Sequence, residues 1–269
     1  MENNDKNFTG SIPEFYDTYL VPLIFEEFAD DLATRVMIEL PNSILEIAAG
    51  SGVVPRALGA KIAADVKYTI TDLNQPMLDH AQQRQPKNPN ISWQQADVMA
   101  LPFEDNAFDA VVCQFGFMFF ADKIAAMTEV KRVLKPNGEL IFNVWDCIEN
   151  NVFADLVTQA AGRLHPETPP LFLERIPHGF YDNDAIRKTL QDAGFKSIII
   201  QDKVAISSAP TALHAAKAYC HGTPLRNELE ALGEGALDQV TQAAADWIAK
   251  FYGKAEVAAQ IQGFVITAS

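Results

Sequence analysis

From about residue 43 onward, short apolar runs alternate with segments in which apolar residues recur every three to four positions. The short apolar runs at 43–48, 66–71 (rich in β-branched residues), 91–94, 107–113 and 139–145 predict strands. Between them, 54–65, 75–84 and 123–134 carry helical spacing. Lys135-Pro-Asn-Gly138 is a strong breaker before the fifth strand. Strands that are apolar on nearly every residue, each followed by a helix, predict an α/β fold with a parallel sheet covered on both faces.

The rhythm then changes. Four prolines, Pro166, Pro169, Pro170 and Pro177, fall between residues 147 and 180, around one helical stretch at 153–164. A helix at 184–193 stopped by Gly194 and a strand from 195 towards 206 resume the alternation. Alanine-rich helices at 212–219 and 226–251 and a strand at 263–268 follow. The expected division is an N-terminal helical cap at 1–40, a ligand-binding core at 41–146 and a lid insertion at 147–183. A core helix and strand at 184–206, a helical lid insertion at 207–260 and a final core strand at 261–269 complete it.

Charge and cysteine usage narrow the partners. Formal net charge is −14, and no Lys/Arg cluster is dense enough to track phosphates, which disfavours nucleic acid. Cys113, Cys147 and Cys220 are scattered, with neither a Cys-x-x-Cys pair nor a zinc spacing, so no metal is expected. No run approaches the ~20 apolar residues of a membrane span, and the polar start lacks a signal-peptide pattern. The expectation is a reduced, soluble, cytoplasmic protein. A homodimer is compatible with it.

The chemistry begins at Ile44-Leu-Glu-Ile-Ala-Ala-Gly-Ser-Gly52, where a buried strand opens through small residues into a helix. Such a turn lies at the carboxyl end of the first strand, where open α/β sheets bind ligands. Alone it is also an ordinary tight turn. Asp72, twenty residues after Gly52, closes the second strand, where a carboxylate accepts the hydroxyls of a ribose or caps the next helix. A dinucleotide fingerprint needs glycine at position 55, and Pro55 stands there. No tyrosine has a lysine four residues later, which weakens a NAD(P)-dependent oxidoreductase further.

Together with Thr71-Asp-Leu-Asn-Gln-Pro-Met-Leu78, the stretch from Ile91 through Asp97 to Asp109, and Val133-Leu-Lys-Pro-Asn-Gly-Glu-Leu140, this chain resembles the class I SAM-dependent methyltransferases. It is most similar to their ubiquinone/menaquinone methyltransferase-like branch of small-molecule enzymes. The resemblance covers roughly residues 40–146 and the last strand. It implies a Rossmann-like, mostly parallel seven-stranded sheet with helical lid insertions, binding S-adenosyl-L-methionine (SAM) and releasing S-adenosyl-L-homocysteine.

Carried over by position, the resemblance implies that Glu46 orients the methionine ammonium through water. Ala48, Gly50 and Gly52 then shape the cofactor floor, and Asp72 takes the ribose hydroxyls. Leu73 and Met77 line the adenine, Asp97 accepts its amino group, and the Val98 N–H faces a ring nitrogen. Gln114 borders the methionine end, and Tyr16 lies in a segment that folds over the cofactor. Ala48 departs from the usual glycine. A capping role for Asp97 and core packing for Tyr16 stay open beside these assignments, and Asp109 reads as a structural residue holding a loop. An unpaired Glu46 in an apolar strand would be costly, so a partner is expected.

A sulfonium methyl is already activated, so catalysis rests mostly on positioning the acceptor, and no nucleophilic side chain is required. Should a base assist, His178, His214 and His221 lie in the insertions, with His178 the first candidate. The acceptor is expected to be a small apolar or aromatic molecule, methylated on oxygen, carbon or nitrogen. A non-catalytic SAM-binding regulator is the alternative on the same fold.

Overall fold

The computed structural model describes residues 12–59, 61–85 and 88–269. They form two compact units. The sheet unit comprises Glu26–Val144, Phe180–Lys203 and Gly263–Ser269; the helical unit comprises the described residues up to Phe25, Trp145–Gly179 and Val204–Gln262.

The seven strands are β1 (Ser43–Glu46), β2 (Lys67–Asp72), β3 (Ile91–Gln95), β4 (Phe108–Gln114), β5 (Leu134–Trp145), β6 (Ile198–Ala209) and β7 (Val257–Ala268). Their order is β3-β2-β1-β4-β5-β7-β6. β1 to β5 pair in parallel: Glu46 lies opposite Ile70 on one side and Val112 on the other, and Gln114 lies opposite Asn143. Ser197 and Ser269 exchange N–H···O bonds of 3.1 and 3.0 Å, the mark of an antiparallel pair, so the β6–β7 edge reverses direction. Strand order reverses at β1, the switch point where parallel sheets open a crevice for ligands.

The helical elements are numbered in chain order. α1 (Ile12–Phe15) leads into a π-helical segment, Tyr16–Phe25, which carries Pro22 inside it. The sheet unit then contributes α2 (Glu26–Val36), α3 (Val53–Gly59), α4 (Gln75–Arg84) and α5 (Lys123–Val133). α6 (Val152–Leu164) and α7 (Phe172–Arg175) belong to the helical unit, and α8 (Asn183–Asp192) to the sheet unit. α9 (Ala212–Gly222), α10 (Leu225–Ala231) and α11 (Ala236–Tyr252) complete the helical unit, where α11 packs on α9 and α6. Short polar residues start several helices: Asp122 accepts from the Ala125 N–H at 2.9 Å, and Asp182 from Asp184 and Ala185. Among the described residues no helix is long and apolar enough to cross a membrane.

Several elements depart from the sequence expectation. The helix expected over 54–65 is α3, which stops at Gly59, where the Leu58 carbonyl accepts from both Lys61 and Ile62. The helix expected over 226–251 divides because Gly233 and Gly235 adopt φ of +130° and +77°, outside helical geometry. The expected fifth strand at 139–145 starts earlier, at Leu134. Register jumps from Phe108↔Leu134 to Ala110↔Glu139, so Lys135-Pro-Asn-Gly138 bulges out of the strand instead of preceding it. Gly138 is required there, since an added Cβ would lie 2.9 Å from the Asp109 carbonyl oxygen. Within the N-terminal stretch taken as one cap, α2 packs on α3 and β4 of the sheet unit, which places the division at Phe25/Glu26.

Asp109 anchors the end of the sheet opposite the glycine turn. It accepts from the Ser43 N–H at 2.9 Å and hydroxyl at 2.8 Å and from Lys135 Nζ at 2.7 Å. Burial alone would raise its pKa, but the Lys135 and Ser43 contacts outweigh that and hold it below the usual carboxylate value.

Candidate cofactor site

The glycine turn hangs between its neighbouring strands. The Ile47 N–H donates to Val112 O and the Ala49 N–H to Thr71 O, both at 3.0 Å. Ala48, Gly50 and Gly52 then take φ of +53°, +55° and +79°. Glycine adopts this region freely; alanine does so at a cost of about 1–2 kcal/mol. Ala48 therefore supplies the turn that a glycine would make without strain. Its Cβ also restricts a neighbour, since a Cβ added to Gly116 would fall 2.5 Å from it. Gly52 permits close packing of α4, where an added Cβ would lie 2.9 Å from that of Ala81. At Gly50 an added Cβ would meet only Met77 Cε, at 3.7 Å, so the backbone there stays approachable.

Pro55, the residue that breaks the dinucleotide pattern, sits in the first turn of α3, where a missing N–H costs nothing. On α4, Met77 is buried, while Leu73 just before the helix is 45% exposed.

Asp72 closes β2 and reaches across to the turn. Its Oδ2 accepts from the Gly50 N–H at 2.8 Å, and its Oδ1 from the Asn74 N–H at 2.7 Å and, at 3.4 Å, from Asn74 Nδ2. Asn74, not Asp72, is the N-cap residue of α4. The Leu73 N–H also favours the charged carboxylate, so its roughly four acceptor sites are engaged, with the long Asn74 amide contact the easiest to surrender. Burial raises the Asp72 pKa, opposed by the N–H groups of Asn74 and Gly50.

Glu46 does have a partner, and it lies in the core. The Tyr68 hydroxyl donates to its carboxylate. The side chain is only 1% exposed, and burial is the main reason its pKa is pushed up to about 8. The Tyr68 hydrogen bond works against that rise and the Asp72 charge adds to it. Asp97 accepts from the Met99 N–H at 2.9 Å, capping a 3₁₀ turn that Val98 begins. Both are half-buried at the end of β3.

Gln114, also half-buried, ends β4. The next residue, Phe115, has φ of +49°, an outlier for a bulky side chain. Its N–H donates to Asn143 Oδ1 at 2.9 Å, inside the sheet unit. Asn143 is fully buried, and among the described residues its Nδ2 has no hydrogen-bond partner. Sequence reasoning missed Asn143 and Tyr68. Asn143 is a lone polar group in an apolar run, the same signal that marked Glu46, whereas Tyr68 stands in the mixed strand Lys67–Asp72 and carries no such signal.

Tyr16, His178, His214 and His221 belong to the helical unit, apart from every other cofactor residue named from sequence. Tyr16 stacks on Phe25 with ring centroids 5.1 Å apart. His214 packs on Tyr19 at 4.6 Å and His221 on Phe15 at 5.2 Å, and His221 Nε2 lies 3.1 Å from the Thr241 hydroxyl. His178 is 5% exposed, with Nδ1 at 2.8 Å from the Asp146 carbonyl oxygen, and burial lowers its pKa to about 4.

Residues 45–142 match a methyltransferase domain family. A demethylmenaquinone methyltransferase from Staphylococcus haemolyticus is 26% identical over 61% of this chain and 72% of its own length. One from Deinococcus radiodurans is 36% identical over 40% of this chain and 45% of its own. In fold, a SAM-dependent methyltransferase from Thermotoga maritima superposes with a TM-score of 0.52 at 15% identity, covering 95% of this chain and 94% of the other. These similarities support a class I SAM-dependent methyltransferase of the ubiquinone/menaquinone methyltransferase-like branch.

The residues present fit the cofactor of that class. Asp72 holds a long Asn74 amide contact that a ligand hydroxyl can replace beside the approachable Gly50 backbone, and among the described residues the buried Ser51 hydroxyl in the same turn has no hydrogen-bond partner.

Proposed function

We propose that the chain methylates a small, apolar or aromatic acceptor using SAM, with reduced quinone rings the first class to examine. The observation that carries this is Asp72 bridging the Gly50 N–H and the Asn74 N–H at the switch point of the sheet. Two relatives named as demethylmenaquinone methyltransferases support the acceptor class.

In this reading Asp72 accepts from the ribose hydroxyls, with Asn74 Nδ2 yielding its long contact. Ala48, Gly50 and Gly52 present backbone beneath the cofactor, and Met77 and Leu73 flank its base. Asp97 accepts the adenine amino group and the Val98 N–H faces the ring. Glu46 orients the methionine ammonium and Gln114 borders the same end. Tyr16 covering the cofactor belongs to the proposal, as do lid roles for 147–183 and 207–260. When bound, SAM supplies an electrophilic methyl on sulfur. What remains to the protein is holding an electron-rich atom in line with it and excluding water, which accounts for large rate effects without a protein nucleophile.

Thermal shift and titration calorimetry with SAM, S-adenosylhomocysteine and NADH test the cofactor. Stabilisation by NADH in preference to SAM would overturn the proposal. Transfer of labelled methyl to reduced naphthoquinones then tests the acceptor. Tight SAM binding with no transfer to any quinol, catechol or sterol-like acceptor would favour a regulatory SAM-binding protein.

A further inference from the structure

Phe115, directly after β4, carries a bulky side chain at φ of +49°, where a Cβ crowds the following carbonyl. Such an angle persists only where the surroundings over-determine it. Here those surroundings are identifiable. The Phe115 N–H donates to Asn143 Oδ1 at 2.9 Å and, less closely, to the Asn143 carbonyl oxygen at 3.3 Å. Its ring stands edge-on to Phe28, with centroids 5.1 Å apart. The N–H groups of Gly116 and Phe117 then donate to the Cys113 sulfur, so the chain curls back on the strand it has just left.

The turn made this way is pressed against the glycine turn, since a Cβ added to Gly116 would fall 2.5 Å from that of Ala48. Glu46 lies opposite Ile70 and Val112, so Asp72 and Gln114, two residues further along their strands, flank position 48. Asn143 lies opposite Gln114 on the next strand. Alternation puts the side chains of Asp72, Glu46, Gln114 and Asn143 on one face of the sheet, at the carboxyl ends of four neighbouring strands. Three of the four are cofactor residues in the proposed function; Asn143 has no place in it.

For stability alone Asn143 is a poor choice. It is fully buried, and among the described residues its Nδ2 has no hydrogen-bond partner. Turning the amide round would set a donor against the Phe115 N–H, so the oxygen must face it. Leucine has nearly the same volume and would bury no orphan donor, so packing favours an apolar residue here. What the asparagine side chain adds is an acceptor that fixes the direction of the Phe115 N–H.

We propose that Asn143 is a positioning residue for methyl transfer, fixing the turn at 114–116 beside the methionine end of the cofactor by holding Phe115 in its left-handed conformation. This rests on the proposed function, in which Gln114 borders that end. Asn143 acts through Phe115, not on the ligand. A small displacement of the turn leaves the nucleoside contacts of Asp72 and Asp97 in place, while the methionine part loses its wall and the sulfonium methyl its direction.

The test compares S-adenosylhomocysteine with methylthioadenosine, the same nucleoside without the amino-acid part, by titration calorimetry on the full chain. Asn143→Leu removes the acceptor and the orphan donor together, and the Phe115 N–H keeps its longer bond to the carbonyl of residue 143, so Tm should change little. The variant should bind S-adenosylhomocysteine about tenfold more weakly and methylthioadenosine within about twofold of the unaltered protein. A residue serving only the fold would weaken both alike. Should the leucine variant fold poorly, amide NMR of the unaltered protein decides instead, because the Phe115 resonance must move with S-adenosylhomocysteine and far less with methylthioadenosine. Equal weakening of both ligands, unchanged affinity for both, or a Phe115 resonance that responds alike to the two overturns the inference. Failure of the unaltered protein to bind S-adenosylhomocysteine is the separate result that overturns the proposed function.

Discussion

Replacing Glu46 with Gln should change the pH dependence of stability far more than stability itself. The carboxyl is wholly buried with the Tyr68 hydroxyl as donor, and its pKa rises from 4.5 to about 8. Between those values the folded chain holds a proton that the unfolded chain has released. Unfolding free energy from this group therefore falls as pH rises, by about 1.4 kcal/mol per pH unit. The contribution is fully present below the unfolded pKa and is lost as pH climbs through the folded one. Over the whole interval it amounts to something on the order of 5 kcal/mol. Glutamine has nearly the same shape, still accepts from Tyr68 and never ionises. Urea unfolding of both proteins from pH 5 to pH 8.5 isolates the effect, because titrating groups not coupled to Glu46 cancel in the difference. The variant should match the parent within about 1 kcal/mol at pH 5 and exceed it by several kcal/mol at pH 8.5. Curves that stay parallel would show that Glu46 is ionised in the folded protein and that the buried neutral pair does not exist.

Asp72→Ala should weaken SAM more than tenfold in calorimetry, because a charge-assisted acceptor is lost. It should also lower Tm, since Gly50 and Asn74 lose their shared partner; unchanged SAM affinity would confine Asp72 to that structural task. Ala48→Gly releases a left-handed alanine, and after the extra flexibility glycine gives the unfolded chain the net gain should be about 0.5 kcal/mol. A lower urea midpoint would contradict the strain. Asp109→Ala should destabilise at neutral pH and progressively less below pH 4, because a carboxylate with a depressed pKa loses its contribution as pH falls through that value; a constant difference from pH 7 to pH 3 would show that the Lys135 and Ser43 contacts contribute nothing.

The sheet was legible because β1, β4 and the second half of β5 are nearly continuous apolar runs and the alternation with helical spacing carries the mixed strands β2 and β3. The boundaries that slipped did so where backbone geometry overrode composition. Alanine-rich 226–251 reads as one helix until Gly233 and Gly235 take positive φ, and Lys135-Pro-Asn-Gly138 reads as a terminator although pairing resumes on both sides of it. At the candidate site, spacing marked Asp72, the cost of an unpaired carboxylate marked Glu46 and the family resemblance added Asp97, but none of these disclosed their neighbours. That Glu46 faces Tyr68, and that Asp72 is already tied to Gly50, depends on the side-by-side register of β1 and β2, which one chain read alone does not disclose. Asn143 is hidden for the same reason: its partner, Phe115, is 28 residues away and enters through a strained backbone angle.

The alanine in the glycine turn has a consequence for how this chain can change. Positions 48 and 116 compete for one volume, with 2.5 Å between the Cβ present and the one that would be added. A side chain at 116 is closed while Ala48 stands, and even after Ala48→Gly the Cys113 thiol, 2.9 Å from the same point, must swing aside. Substitutions here have an order. Glycine must enter at 48 before 116 can vary, so two orders of the same replacements are not equally open: one relieves the Ala48 collision first and the other passes through it beside the glycine turn.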